Sequence, residues 1–207
     1  MRRRARPFAA VAPERFPALI GADEAGRGAL CGPVVAAAVW FDPTALDPAL
    51  LGALDDSKKL APRLRADLAE TLRAGCRVAV AARAARAIDG EGVGAASLAA
   101  LRRAIEKLGI DAPAAVDGLF VPPGLVLPCV AVVRGDGSVP QIAAASILAK
   151  TTRDRLMGRL ALRHRLYGWE RNMGYGAPAH LEALARLGPS PHHRRSFAPV
   201  ARASSRA

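Results

Sequence analysis

The chain has 207 residues, enough for one well-buried domain with at most a small appendage. Its 51% hydrophobic, 23% charged and 4% aromatic residues describe an ordinary globular protein with an aliphatic core of Ala, Val and Leu. Lys and Arg number 30 against 18 Asp and Glu, a formal charge of +12. That excess favours a polyanionic partner, nucleic acid first, although an alanine- and arginine-rich composition inherited from a GC-rich genome gives the same balance. Cys31, Cys76 and Cys129 are scattered in apolar contexts, which excludes a disulfide framework and zinc-type spacing and points to a reducing cytosol. No apolar run approaches the roughly 18 residues needed to span a bilayer.

In chain order, "MRRRARPFAAVAPERFP" lacks an apolar core before Glu14, so it reads as a basic, frayed arm over residues 1–15 rather than a secretory signal. "FPALIGADEA" and "GPVVAAAVWF" are apolar runs broken at glycines, a hairpin-like pair of buried strands. "APRLRADLAETLRAG" has helical spacing at Leu64, Leu68 and Leu72 and stops at Gly75. "CRVAVAARAAR" alternates as a strand, and "GAASLAALRRAIEKLG" is a helix with Leu98, Leu101, Ile105 and Leu108 on one face. "AAVDGLF" and "PCVAVVRGDG" are short strands that each finish near an aspartate. A long helix runs from about Pro140 to His164, its proline in the first turn where a missing N–H is harmless. After a glycine-rich bend, "APAHLEALARLG" makes a last helix, and "ARASSRA" over residues 201–207 reads as a disordered tail.

Strands first, then strands alternating with helices, imply a mixed α/β sheet with helices on its faces. Ligands gather where the strands of such sheets end. Asp23, Asp117 and Asp136 each lie at or just past a predicted strand end. A lone aspartate there is commonly a turn former or helix cap. Several buried carboxylates together need cations to neutralise them. Hard divalent ions with oxygen ligands, Mg²⁺ or Mn²⁺, suit such a set, and two of them can serve phosphodiester cleavage. A basic chain with an acidic metal cluster is a nuclease candidate.

"DEAGRGALCGPVVAAAV", "DDSKKLAPRLR", "VDG", "GDGSVPQIAAASILAKTTRDRLM" and "GYGAPAHLEALARLGPSPHHRRSFAPV" resemble, in order, the signature blocks of the bacterial type 2 ribonucleases H, ribonuclease HII, across Ile20 to Val200. The resemblance implies a ribonuclease H-like fold: a five-stranded mixed sheet flanked by helices over residues 16–168, with a helical, substrate-contacting extension over 169–200. It implies a cytoplasmic enzyme, taken as a monomer, that hydrolyses the RNA strand of RNA–DNA hybrids. It also implies incision 5′ to ribonucleotides embedded in duplex DNA, by two-metal chemistry leaving 3′-hydroxyl and 5′-phosphate ends. Carried over by position, Asp23, Glu24, Asp117 and Asp136 would be catalytic and would bind Mg²⁺ or Mn²⁺. In a regular strand Glu24 faces away from Asp23, so a bend at Ala25-Gly26 is expected.

By the same resemblance, the turn Gly26-Arg27-Gly28 would read the ribose 2′-hydroxyl, with no Cβ to keep the glycine backbone from the sugar. Arg27 could also contact the neighbouring phosphate. Tyr175 in "GYG" is similar to the family tyrosine that packs on the ribonucleotide sugar. Lys58 would meet a backbone phosphate; Ser57 would cap the following helix or touch a phosphate. Ser146, Lys150 and Arg153 share one helix face that would approach the nucleic-acid backbone or the acids. Asp154 competes with Asp136 for the fourth carboxylate, or pairs with Arg153 or Arg155. His192 and His193 read as part of a basic patch that docks the C-terminal segment. The chain departs from the family pattern at Ala29, where proline is common, and at Cys31, where a small residue is usual. Gly92 stands in place of asparagine, and Asn172-Met173 in place of His-Lys, which removes a positive charge near the substrate. The reading from another class is a non-catalytic, basic nucleic-acid-binding domain. A fold-mate acting on branched DNA is opposed by the Gly-Arg-Gly and tyrosine blocks.

Overall fold

The computed structural model describes residues 17–55 and 61–205. The basic arm, Ser57, Lys58 and Lys59 lie outside the described residues. The two apolar runs either side of the glycine-rich loop pair antiparallel as β1 (Leu19–Ala25) and β2 (Val34–Phe41), from Leu19 opposite Phe41 to Ala25 opposite Val35. β3 (Arg77–Arg83) adds antiparallel to β2. β4 (Ala114–Asp117) pairs parallel with β1, and β5 (Cys129–Val132) parallel with β4. The order β3-β2-β1-β4-β5 makes the expected five-stranded mixed sheet.

Side-chain alternation along β2 divides two cores. Ala37, Val39 and Phe41 pack with α1 (Pro48–Asp55), α2 (Pro62–Gly75) and α5 (Pro140–Arg163). Ala36 and Ala38 pack on the other side with Ala100, Leu101, Ala104 and Ile105 of α4 (Val93–Leu108). The short α3 (Ala85–Glu91) leads into α4. Beyond α5, α6 (Trp169–Asn172), α7 (Pro178–Leu187) and α8 (Ala198–Ser204) fold back against the β1–β2 loop. Leu30 joins Leu184 and Val200, and Cys31 joins Met157, Tyr167 and Trp169. No helix of the described residues is long and apolar enough to cross a membrane.

The helix expected through Leu64, Leu68 and Leu72 forms as α2 and stops at Gly75; it buries Leu68, Ala69 and Leu72 and leaves Leu64 55% exposed. Two local expectations need correction. The strand expected to continue to Arg86 ends at Arg83, where α3 takes over and buries Ala85 and Ile88. The tail expected to be disordered is helical through Ser204, since α8 is held by Val200, fully buried against Leu30 and Leu184. The long helix matches its expected span, ending at Arg163 with His164 as cap.

Gly21 sets how closely α5 approaches β1. A Cβ there would lie 2.2 Å from the backbone carbon of Gln141, in the first turn of α5. A helix backbone cannot yield as a side-chain tip can. Gly21→Ala is therefore expected to destabilise the fold by about 1–3 kcal/mol, read as a lower urea midpoint with unchanged slope.

Candidate active site

The parallel register places Ala22 opposite Val116, so Asp23 and Asp117 follow as neighbours at the ends of two adjacent strands. Asp23 is 7% exposed. One of its oxygens accepts the Glu24 backbone N–H at 2.7 Å, and the Ser146 hydroxyl of α5 bonds its carboxyl. Burial, opposed by the Ser146 bond and reinforced by the charges of Glu24 and Asp117, pushes Asp23 up to about 7. Asp117 accepts the Gly135 N–H at 2.7 Å and so anchors the single 3₁₀ turn Gly135–Gly137, which carries Asp136.

Pairing of β1 with β2 continues unbroken through Ala25, so no bend intervenes between Asp23 and Glu24. The turn comes after them, at Gly26. Glu24 leaves on the α4 side, where it lines a cleft of about 90 Å³ with Arg27, Ser97, Leu98, Asp117 and Phe120. One Glu24 oxygen takes the Arg27 guanidinium at 3.1 Å; the other, Oε2, is buried without a hydrogen-bond partner. Oxygen donors only, one of them unpartnered and another whose ionisation is opposed first by burial and then by neighbouring carboxylates, make a set suited to a hard divalent cation. Ser97, 2% exposed with an unpartnered hydroxyl, and the exposed Leu119 and Phe120 border the same cleft. No motif marked them; Ser97 looks like any small residue on an amphipathic helix.

The Gly26-Arg27-Gly28 turn is held from inside. Gly26 has φ +95°, and a Cβ there would fall on the Arg153 guanidinium. Its glycine therefore answers first to protein packing. Gly28 is different: a Cβ would meet nothing within 4 Å, so the open space above it faces outward. Two fully buried arginines fasten the loop. Arg194 donates to Gly26 O and Arg27 O, both at 2.7 Å, and twice to Gly32 O. Arg153 donates to Cys31 O, Pro33 O and Met173 O. Among the described residues neither makes an ion pair.

Tyr175 is 37% exposed, with the Arg153 guanidinium 5.2 Å and the Lys150 ammonium 5.8 Å from its ring centre. Its turn is closed by Asn172, whose side chain donates to Tyr167 O and accepts the Gly174 N–H. Asn172, seen in the sequence only as a departure, thus shapes the turn before the tyrosine. Asp154 pairs with Lys150 at 2.7 Å rather than with either adjacent arginine. Arg153 points inward, and Arg155 reaches Glu70.

The histidines are not a basic patch. His193 is 2% exposed and meets His180 and Cys31 in the only group of three or more His, Cys, Asp or Glu ligand atoms lying mutually within 4.8 Å among the described residues. Sequence spacing could not show this Cys/His meeting, which joins the β1–β2 loop to α7 and the loop before α8. Its hydrogen bonds settle the tautomers. His180 Nδ1 donates to Tyr175 O, leaving Nε2 to accept the Trp169 N–H at 3.0 Å. His193 Nδ1 accepts the Ser190 N–H, so its Nε2 carries the proton and donates to His180 Nε2 at 3.1 Å. The ring lone pairs are committed, and the group is a neutral knot rather than a metal site. Burial, then the neighbouring His180, His164 and His192, push His193 down to about 4, and burial also lowers His180. An unfolded imidazole titrates near 6.5, so the knot's stabilisation is full above about 6.5 and is lost as pH falls toward about 4. Because the raised Asp23 acts in the opposite sense over the same range, the knot is read from the difference between the parent and His193→Gln: the parent's thermal midpoint should fall relative to the variant's as pH drops across that window, and identical pH profiles for both proteins would dismiss the knot.

The sheet order, the long helix behind the central strand and the acids at the ends of β1 and β4 define a ribonuclease H-like protein. Residues 20–200 match the family model of ribonuclease HII. The ribonuclease HII of Paramagnetospirillum magneticum is 53% identical over 182 residues, 87% of this chain and 90% of that protein. That of Rhodospirillum rubrum is 52% identical over 191 residues, covering 90% and 86%. The crystal structure of ribonuclease H2 from Pyrococcus horikoshii superposes with a TM-score of 0.81 at 26% identity, covering 92% of this chain and 98% of that one. The chain belongs to the ribonuclease HII family and is a ribonuclease H, a metal-dependent hydrolase.

Proposed function

We propose that this ribonuclease H, a cytoplasmic monomer, hydrolyses the RNA strand of RNA–DNA hybrids and incises 5′ to single ribonucleotides embedded in duplex DNA, leaving 3′-hydroxyl and 5′-phosphate ends. The observation that carries this reading is the meeting of Asp23, Glu24 and Asp117 at the ends of β1 and β4, with Asp23 pushed up to about 7 and Glu24 Oε2 without a partner. Together with Asp136 they would hold two Mg²⁺ or Mn²⁺ ions. Bound there, such ions supply the positive charge that eases attack of water on a phosphodiester. The Ser146 hydroxyl keeps the Asp23 carboxyl oriented toward the shared space. The outward face of Gly26-Arg27-Gly28 receives the ribose 2′-hydroxyl, which DNA lacks. Tyr175 packs against the same sugar, while Lys150, with Ser57 and Lys58, grips the backbone phosphates.

Matched duplexes with one ribonucleotide, four, or none, each with Mg²⁺ or Mn²⁺, test the reading. The first two should be cut only when metal is added, and the third not at all. Asp23→Asn and Asp117→Asn are each expected to lower cleavage at least about a hundredfold. Because folding raises the Asp23 pKa, the metal-free chain loses stability as pH rises toward about 7. Asp23→Asn should then be no less stable than its parent at pH 8, separating lost chemistry from lost fold. Salt-sensitive binding without cleavage would instead favour a purely binding role.

Arg27 joins the turn to Glu24. Arg27→Ala is expected to reduce the preference for ribose over deoxyribose by about tenfold, measured as the ratio of kcat/KM for the single-ribonucleotide duplex to residual nicking of the all-DNA duplex. An unchanged ratio removes Arg27 from recognition.

A further inference from the structure

Arg153 and Arg194 come from different parts of the chain, the middle of α5 and the loop before α8, yet both end on carbonyls of the loop between β1 and β2. Burying two guanidiniums costs free energy unless their donors are used. Here seven hydrogen bonds use them, all to backbone carbonyls, at 2.7 to 3.1 Å. Burial and the nearness of Arg153 push Arg194 down to about 10, still charged at neutral pH.

The direction of these bonds has a chemical consequence. In a trans peptide the C=O and N–H point opposite ways. With Gly26 O and Arg27 O turned inward onto Arg194, the N–H groups of Arg27 and Gly28 must turn outward, over the open space at Gly28. Arg153 extends the same control to Tyr175, through its bond to Met173 O and its place on the tyrosine ring. The knot of His180 and His193 holds the backbone next to Arg194, because Cys31 and His193 bridge the two segments.

We infer that Arg194, supported by Arg153, is a positioning residue for ribose selection: its guanidinium fixes which way the peptides of Gly26-Arg27-Gly28 face. This rests on the function proposed above. Among the described residues the clamp makes no hydrogen bond or ion pair to the acids and bonds Arg27 only at its carbonyl, so its loss acts on discrimination rather than on metal or general duplex affinity. Lysine keeps the charge but lacks the planar fork that reaches three carbonyls at once.

The test compares the unaltered chain with Arg194→Lys and Arg153→Lys. Four readouts are taken: kcat and KM on a single-ribonucleotide duplex, inhibition of that reaction by an all-DNA duplex, Mn²⁺ binding by calorimetry, and the thermal midpoint. The expected result for Arg194→Lys is a fall in kcat/KM of about a hundredfold, since misplacing a substrate-facing group by about 1 Å has that effect. Inhibition by all-DNA duplex and Mn²⁺ affinity should stay within about twofold. Arg153→Lys should show the same pattern. Unchanged kcat/KM overturns the inference, as does a parallel loss of Mn²⁺ binding, duplex affinity and midpoint, which marks a merely structural role. If both variants fail to fold, the arginines are fold requirements and the positioning role falls. Failure of the unaltered chain to cut the ribonucleotide duplex is a separate result, and it sinks the functional reading itself.

Discussion

Two strands that run parallel in the middle of a sheet deliver the residues just past their shared pairing to the same place, and that constraint underlies this protein's chemistry. β1 and β4 pair from Ile20 opposite Ala114 to Ala22 opposite Val116, which leaves Asp23 beside Asp117. A slip of one residue would exchange the faces and bury the acids where Ile20, Ala22 and Val116 now sit. The buried apolar runs of β1 and β4 therefore fix the acids in space as firmly as they fix the core. Burial first, and then the like charges of Glu24 and Asp117, resist ionisation of Asp23, and its raised pKa records that resistance.

The loop between β1 and β2 carries two demands at once. Its inner side is a row of carbonyls with no strand to pair with, and buried carbonyls need donors. Arg153 and Arg194 supply them, which ties the sheet, the long helix and the C-terminal extension at one point. Its outer side stays open at Gly28. Because the buried arginines bond to carbonyls instead of carboxylates, the acids are left for other partners. Among the described residues only Arg27, on the exposed side, reaches Glu24.

Charge is distributed accordingly. The chain carries +12 overall, while its acids at the strand ends are sheltered. A polyanion drawn to such a surface would meet a local concentration of negative oxygens, an arrangement that becomes favourable once divalent cations lie between them. The histidine knot adds no charge at neutral pH, since its rings are held neutral. Its contribution is mechanical: it fastens the extension that carries Tyr175 and Arg194 onto Cys31.

Much of this was legible in the residues themselves. The apolar runs of β1 and β2, the alternation of β3, the spacing of Leu101, Ile105 and Leu108, and the proline-started long helix are local signals that burial enforces. The signature blocks likewise identified the family, and their order matched the mixed sheet. What the sequence could not decide were meetings between distant segments. Nothing local says that Arg153 turns inward while Lys150 pairs with Asp154, or that His193 leaves a basic stretch to sit neutral against His180. Spacing arguments see only neighbours along one element, whereas Cys31, His180 and His193 are brought together by the packing of the extension on the sheet. The same holds for Gly26, whose lack of a side chain the sequence ascribed to a ligand and the tertiary structure ascribes first to a guanidinium occupying the space a Cβ would need.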